Sequence, residues 1–389
     1  MRTTVFPAHE ECAGIYIHIP FCVRKCEYCD FLSAPAGESV QKAYVDRLNQ
    51  ELFNVLSQMT RDKTRISTIY FGGGTPSILP GRQIVRLMNT LMQSGRVLPD
   101  AEVTLEMNPG TVTREKLECY RQAGINRLSI GVQSFHDEEL KLLGRIHTRE
   151  DSEAAYDMAR RAGFCNISLD LMSGLPGQTE EKWIRNLMEA VRLQPEHISA
   201  YSLIIEEGTP FYKKYGNHWS EENEELDRQM YEDTGKILKN AGYLRYEISN
   251  YARPGYESRH NSSYWTGVPY YGCGLGASSL IRRFGGWYRT RNQSDLKKYL
   301  KEENVVLEEE ERLTMQARME EFMFLGMRLT EGISISEFNR RFQCDFQDIY
   351  GAAVWELKKD GMVFQEGDRV ALTDRGLDLS NYCFEKFLL

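Results

Sequence analysis

Three cysteines fall close together near the start of the chain, in Tyr16-Ile-His-Ile-Pro-Phe-Cys22-Val-Arg-Lys-Cys26-Glu-Tyr-Cys29-Asp30-Phe31. Thiolates are the preferred ligands of iron–sulfur clusters, and a Cys-x3-Cys-x2-Cys loop can wrap one face of one. Three ligands on a four-iron cube leave one iron open, free to chelate an amino nitrogen and a carboxylate of another molecule. The competing reading is structural zinc, which wants four closed ligands, usually as two close pairs. His18 offers a fourth ligand, but the observed spacing fits paired Cys-x2-Cys hooks poorly. Coincidence is a second alternative in a chain of nine cysteines. An odd total cannot pair fully, and Cys12, Cys119, Cys165, Cys273, Cys344 and Cys383 read as ordinary buried or half-buried thiols.

A cluster loop needs a rigid rim. From Gly14 to about Leu203 short β-branched runs alternate with stretches of helical apolar spacing. The strand candidates are Ile15–Ile19, Ile66–Phe71, Val103–Glu106, Arg127–Val132, Asn166–Leu171 and His197–Leu203. Successive βα units imply a parallel α/β sheet, either doubly wound or an open, partial TIM-type (β/α)6 barrel. In both, the working loops lie beyond the C-terminal strand ends. The unusual residues sit there: the glycine run Phe71-Gly-Gly73-Gly74-Thr75-Pro76, Glu106 ending the third strand, Gln133 after the fourth, Arg145 in Leu-Gly-Arg-Ile-His, Asp170 ending the fifth and Ile204 after the sixth. Each alone reads as a capping or solvated polar residue. Jointly, on one rim, they read as a binding site. The glycine run lacks a following Gly-Lys-Ser/Thr, so it is no nucleotide P-loop; its use is close backbone approach.

The remaining chain divides into an arm over residues 1–13, the core with an extension over 14–303, and a C-terminal module over 304–389. Glu222–Asn240 reads as a long charged helix, and Tyr243–Tyr271 as a mixed Gly- and aromatic-rich stretch. In the module, helices are expected over Glu310–Leu325, Ser334–Phe342 and Phe346–Lys359. A hairpin over Met362–Leu372 turning at Gly367-Asp368 and one last helix complete a winged-helix-like unit. Such units commonly bind DNA, but this one carries 17 acidic and 10 basic residues, a net of −7 out of −8 for the whole chain. That charge suits a structural or partner-binding role and argues against nucleic acid. With 389 residues, 41% hydrophobic and 27% charged, the composition is globular. No apolar run reaches about 18 residues, and the N-terminal segment lacks a signal-peptide core, so a cytoplasmic protein is expected.

The cysteine loop, glycine run and strand-end carboxylates resemble the radical-SAM superfamily. That resemblance implies a [4Fe-4S] cluster on Cys22, Cys26 and Cys29, with S-adenosylmethionine on its open iron. It further implies cofactor contacts from Tyr16, Phe31, Gly73, Gly74, Thr75, Glu106, Gln133, Arg145, Asp170 and Ile204, an electron donor, and reductive cleavage of the C5′–S bond. His18-Ile-Pro-Phe-Cys, Arg127-Leu-Ser-Ile-Gly-Val-Gln-Ser-Phe, Asp170-Leu-Met-Ser-Gly-Leu-Pro-Gly-Gln-Thr and Tyr246-Glu-Ile-Ser-Asn-Tyr narrow it to the HemN/HemW branch.

Within that branch three features resemble the haem-chaperone side. Phe31 stands where the coproporphyrinogen dehydrogenases carry a further cysteine. Few residues precede Tyr16, where the dehydrogenases have a longer arm. His260-Asn261-Ser-Ser-Tyr264-Trp265 matches the HNxxYW motif tied to haem. A neutral imidazole is a standard axial ligand, and flat aromatics can stack on a porphyrin. The resemblance therefore implies haem contacts at His260, Asn261, Tyr264 and Trp265, and haem-accepting apoproteins as partners. The bland reading is a turn histidine beside ordinary core aromatics. One departure is Ser278, where relatives commonly have histidine. A homodimer is left open. The alternatives are coproporphyrinogen III dehydrogenase and another tetrapyrrole-directed radical-SAM enzyme, a methyl transferase or a haem-opening enzyme.

Overall fold

The protein is described from a computed structural model covering residues 12–216, 221–302 and 306–389. Most of the expected arm and the expected 303/304 junction lie outside these residues. Six strands form the central sheet: β1 (Cys12–Ile19), β2 (Arg65–Gly73), β3 (Val97–Met107), β4 (Arg127–Gln133), β5 (Ile167–Ser173) and β6 (His197–Ser202). They lie side by side in chain order and all parallel, joined by crossover helices such as Glu38–Arg61, Gly81–Gln93 and Glu180–Leu193. Both faces are covered, so the strands are buried almost throughout, as parallel sheets require. The helices start where sequence chemistry says they should. Thr113, Thr148 and Thr179 each accept a hydrogen bond from a first-turn amide, and Thr148 forms a reciprocal box with Asp151.

The six βα units were legible beforehand; the sheet's extent was not. It runs to twelve strands and stays open. On the β6 side, β7 (Leu244–Arg245) and β8 (Asn250–Ala252) add antiparallel. On the β1 side, β9 (Tyr270–Cys273) pairs parallel with β1, and β10 (Ser278–Arg283), β11 (Gly286–Asn292) and β12 (Leu307–Arg312) follow antiparallel. The segment Glu308-Glu-Glu-Glu-Arg312 is therefore a strand, where helix was expected from Glu310. Arg291 of β11 pairs with Glu309 at 2.6 Å, and Arg283 pairs with Glu310. Cross-strand charge pairing overrides the helix propensity of glutamate, and the helix begins only at Met315, capped by Thr314.

The C-terminal module has its own core. Helices Met315–Gly326, Ile335–Phe342 and Phe346–Lys359 pack on a three-stranded sheet of β13 (Ile333–Ser334), β14 (Val363–Glu366) and β15 (Arg369–Leu372). The hairpin turns at Gly367-Asp368 as expected. The closing segment is two short helices, Asp374–Asp378 and Ser380–Glu385, in place of one. No helix among the described residues is long and apolar enough to cross a membrane. Of the six scattered thiols, Cys165 departs from expectation. It is exposed because its neighbour Phe164 takes the core position.

Phe338 centres the module's core, fully buried, with the rings of Phe342, Phe346, Phe322 and Tyr350 at 4.8–5.6 Å between centroids. Phe338→Ala is expected to cost about 3–5 kcal/mol. In urea unfolding the module's transition should move to lower denaturant while the central sheet's does not.

Candidate functional site

The C-terminal ends of the parallel strands open on one cavity of about 520 Å³. The cysteine loop forms its mouth. The loop leaves β1 and is tied down by backbone hydrogen bonds from Ala34 to the Pro20 carbonyl (3.0 Å), from Glu27 to Leu143 (3.1 Å) and from Phe211 to Glu27 (3.0 Å). Cys22, Cys26 and Cys29 all line the cavity. The Cys22 thiol lies 4.0 Å from the Ser33 hydroxyl, and Arg145 Nη1 donates to Cys26 Sγ at 3.7 Å. Burial, with mutual repulsion of the sulfurs, raises the Cys22 and Cys29 pKa values. The thiols thus await a cationic centre that displaces their protons.

The donor set discriminates between the metal readings. Among the described residues no three His, Cys, Asp or Glu side chains converge tightly enough to grip a single ion. His18, the fourth zinc ligand suggested by the sequence, is spoken for. Its Nδ1 is 3.0 Å from the Tyr16 hydroxyl and its Nε2 is 2.9 Å from the Leu32 carbonyl. Three thiols spread around one mouth suit separate corners of a cube better than one tetrahedral ion.

Below the mouth, the glycine run presents bare backbone. A Cβ on Gly74 would lie 2.6 Å from the Phe21 carbonyl oxygen, and Gly73, at φ +114°, would strike the His18 ring at 2.6 Å. The Gly73 amide donates to Glu106 Oε2 (3.2 Å) and the Tyr70 hydroxyl to Oε1 (2.8 Å). Burial nevertheless pushes Glu106 up to about 7. Asp170 accepts from the Ser129 hydroxyl (2.9 Å) and the Ser168 hydroxyl (3.1 Å), and burial raises its pKa too. Two carboxylates so placed can accept hydrogen bonds from vicinal hydroxyls of a sugar. Thr75 Oγ1 accepts from Asn108 Nδ2 (2.8 Å), and Arg145 Nη2 donates to Asn108 Oδ1 (2.8 Å) and the Gly131 carbonyl (2.6 Å). Gln133 holds φ +65° and accepts from the Tyr201 hydroxyl at 2.8 Å.

Phe31, Gly73, Gly74, Thr75, Glu106, Gln133, Arg145, Asp170 and Ile204 therefore line the same cavity as the cysteines. Tyr16 does not. It stands behind the wall, stacked on Tyr70 at 6.3 Å. Sequence reasoning passed over Tyr28, Asn108, Arg127, Ser129 and Tyr201, which also line it. Strand alternation could have found Ser129, two residues before Gly131 and four before Gln133 on β4.

The HNSSYW segment divides. Only Asn261 reaches the cavity. His260 is fully buried: its Nδ1 meets Thr68 Oγ1 at 2.8 Å, its Nε2 meets the Tyr264 hydroxyl at 2.9 Å, and its ring stacks on Tyr70 at 5.1 Å. Both ring nitrogens are committed, leaving none for an axial ligand in this arrangement. Tyr264 packs edge-on against Tyr270 at 4.6 Å, and Trp265 lies under the Arg328 guanidinium at 4.3 Å, at the seam with the C-terminal module. Ser278, the departure noted from the sequence, opens β10, away from this cavity.

Comparison with known proteins gives the same picture. Residues 16–190 match the radical SAM superfamily model, and residues 313–379 the HemN C-terminal domain. The heme chaperone HemW of Lactococcus lactis is 35% identical over 96% of this chain and 97% of its own length. That of Bacillus subtilis is 36% identical over 96% and 98%. That of Escherichia coli is 40% identical over 69% and 70%. Among solved structures, coproporphyrinogen III oxidase (HemN) from Escherichia coli, described as a radical SAM enzyme, superposes with a TM-score of 0.82 at 25% identity, covering 98% of this chain and 91% of that one.

The raised pKa of Glu106 has a signed consequence. In the folded chain without cluster or ligand the carboxyl keeps its proton up to about pH 7, whereas in the unfolded chain it loses it in the ordinary carboxylate range. Folding stability therefore falls as pH rises between those two values. Glu106→Gln should remove that part of the fall, which chemical denaturation of the cluster-free protein from pH 4.5 to 8 would register.

Proposed function

This chain belongs to the HemW family of the radical SAM superfamily, and on that premise we propose that it binds haem and hands it to haem-requiring apoproteins, respiratory ones among them. The observation that carries the reading is similarity to heme chaperones from end to end, through both the core and the C-terminal module. A [4Fe-4S] cluster and S-adenosylmethionine come with the family. When bound, they supply an electron and a cleavable sulfonium carbon–sulfur bond. The chain's own residues do the holding. Cys22, Cys26 and Cys29 take the cluster, Glu106 and Asp170 accept hydroxyl hydrogens, Arg145 ties the cysteine loop to β4, and Gly74 lets backbone approach.

Coproporphyrinogen III dehydrogenase is the second reading, since that fold superposes over nearly the whole chain. Phe31 favours the chaperone. It stands 68% exposed at the cavity mouth, where it can neither ligate nor carry redox chemistry. For haem, coordination by His260 requires the Tyr264 hydroxyl to leave Nε2, so the contact is made by a rearranged Arg259–Trp265 helix. Asn261 already faces the cavity, and Tyr264 and Trp265 become haem contacts through that rearrangement. The reading also places the protein in the cytoplasm, with an electron donor; a homodimer is compatible with it.

Anaerobic reconstitution tests the scheme. Cys22→Ala should lose the brown visible absorbance and most of the iron and sulfide. The parent should bind haem and transfer it to an apo-cytochrome; robust formation of protoporphyrinogen without transfer would overturn the chaperone reading. Tyr264→Phe frees His260 Nε2 and is expected to tighten haem binding, while His260→Ala should lose the shift in the Soret band. Equal binding by all three would discard His260 as the ligand.

A further inference from the structure

The cavity runs deeper than the cofactor contacts require. Its floor is at the N-terminal end of β4, where Arg127 stands six residues below Gln133, about 20 Å down the strand. Arg127 is 1% exposed yet lines the cavity. Among the described residues its side chain makes no hydrogen bond and no ion pair, and its Nε is buried without a partner. Glu106 and Asp170 feel its charge from above, but neither comes within ion-pair distance. His197 and His260, nearby, are kept neutral by burial and by that same charge. A guanidinium removed from water without a partner is costly, and an arriving anion would offset that cost. A second donor on the cavity wall is Asn261, the one HNSSYW residue facing this space, whose side chain makes no hydrogen bond among the described residues. Across the β3–β4 ladder, the partner of Arg127 is Thr104, whose hydroxyl is also buried and unpartnered.

We propose that the cavity floor is a carboxylate-binding subsite, with the Arg127 guanidinium as its cation and the Asn261 amide as a second donor. It is placed to take a carboxylate carried on a short arm of a molecule held in the cavity. Arginine suits this because its fork meets both carboxylate oxygens at once. The identity of the arm rests on the haem reading above, under which it is a tetrapyrrole propionate. The subsite itself does not rest on that reading. It also gives the HNSSYW motif a polar role distinct from iron ligation.

The test is anaerobic calorimetry on the cluster-loaded full chain with S-adenosylmethionine present, titrated with sodium propionate, with haem and with haem dimethyl ester. Propionate should bind saturably, and Arg127→Gln should weaken it about tenfold or more, as losing a charged hydrogen bond does. Arg127→Lys should keep part of the affinity. Propionate that competes with haem but not with the dimethyl ester identifies the arm as tetrapyrrolic; propionate that binds without competing identifies a free small carboxylate. A chain that binds propionate but no haem keeps the subsite and loses the haem-carrier reading. No saturable propionate binding by the parent, or equal binding by Arg127→Gln, overturns the proposal. Should Arg127→Gln fail to fold, Asn261→Ala carries the test: weaker propionate binding is expected, and unchanged binding overturns it.

Discussion

Side-chain alternation along six parallel strands governs this molecule. Every second residue of β3, β4, β5 and β6 faces one enclosed space, so Glu106, Ser129, Gly131, Gln133, Asp170, Ser199 and Tyr201 meet there although long stretches of chain separate them. Parallel pairing also puts every strand's C-terminal end on the same rim, and the cysteine loop, leaving β1 at that rim, closes over it. A one-residue slip in any strand would turn its polar set outward and its apolar set into the cavity. The near-continuous burial of these strands holds the register that the site needs.

Inside that space the energetics are those of charges short of water. Along its inner wall Glu106, Asp170 and Arg127 lie at distances too long for ion pairs, and hydroxyls take up the difference. Serines 129 and 168 hold Asp170, and Tyr70 holds Glu106. A carboxylate pushed toward neutrality by burial presents less charge for an incoming nucleoside to displace, and it remains a hydrogen-bond acceptor.

The helix Arg259–Trp265 joins this space to the rest of the chain. Glu102 on β3 accepts the Arg259 and His260 amides at 3.0 and 2.9 Å, fixing the helix N-terminus with a negative charge where its dipole favours one. The other end carries Trp265 to Arg328 of the C-terminal module, and Thr330 donates to the Tyr246 carbonyl at 3.0 Å beside it. Its four motif residues thus serve three surroundings: Asn261 the cavity, His260 and Tyr264 the packing behind β2, and Trp265 the seam between domains. Any rearrangement that frees His260 is felt at that seam.

Residue order alone determined the cysteine loop, the six βα units, the rim carrying the carboxylates and the helix–hairpin module, because each is written in local spacing: thiols three and four apart, apolar runs at a strand or helix period, a Gly-Asp turn. Tertiary structure decided what depends on partners distant in the chain. Glu308–Arg312 became a strand only because Arg283 and Arg291 face it. His260 offers an axial imidazole by its type; that Thr68 and Tyr264 hold both its nitrogens in this arrangement is visible only in the fold. Arg127 read as the ordinary start of a strand, and its isolation became visible only once the sheet had carried every carboxylate out of its reach. A residue's type says what it can bind; the folded chain says which of those bonds are already made.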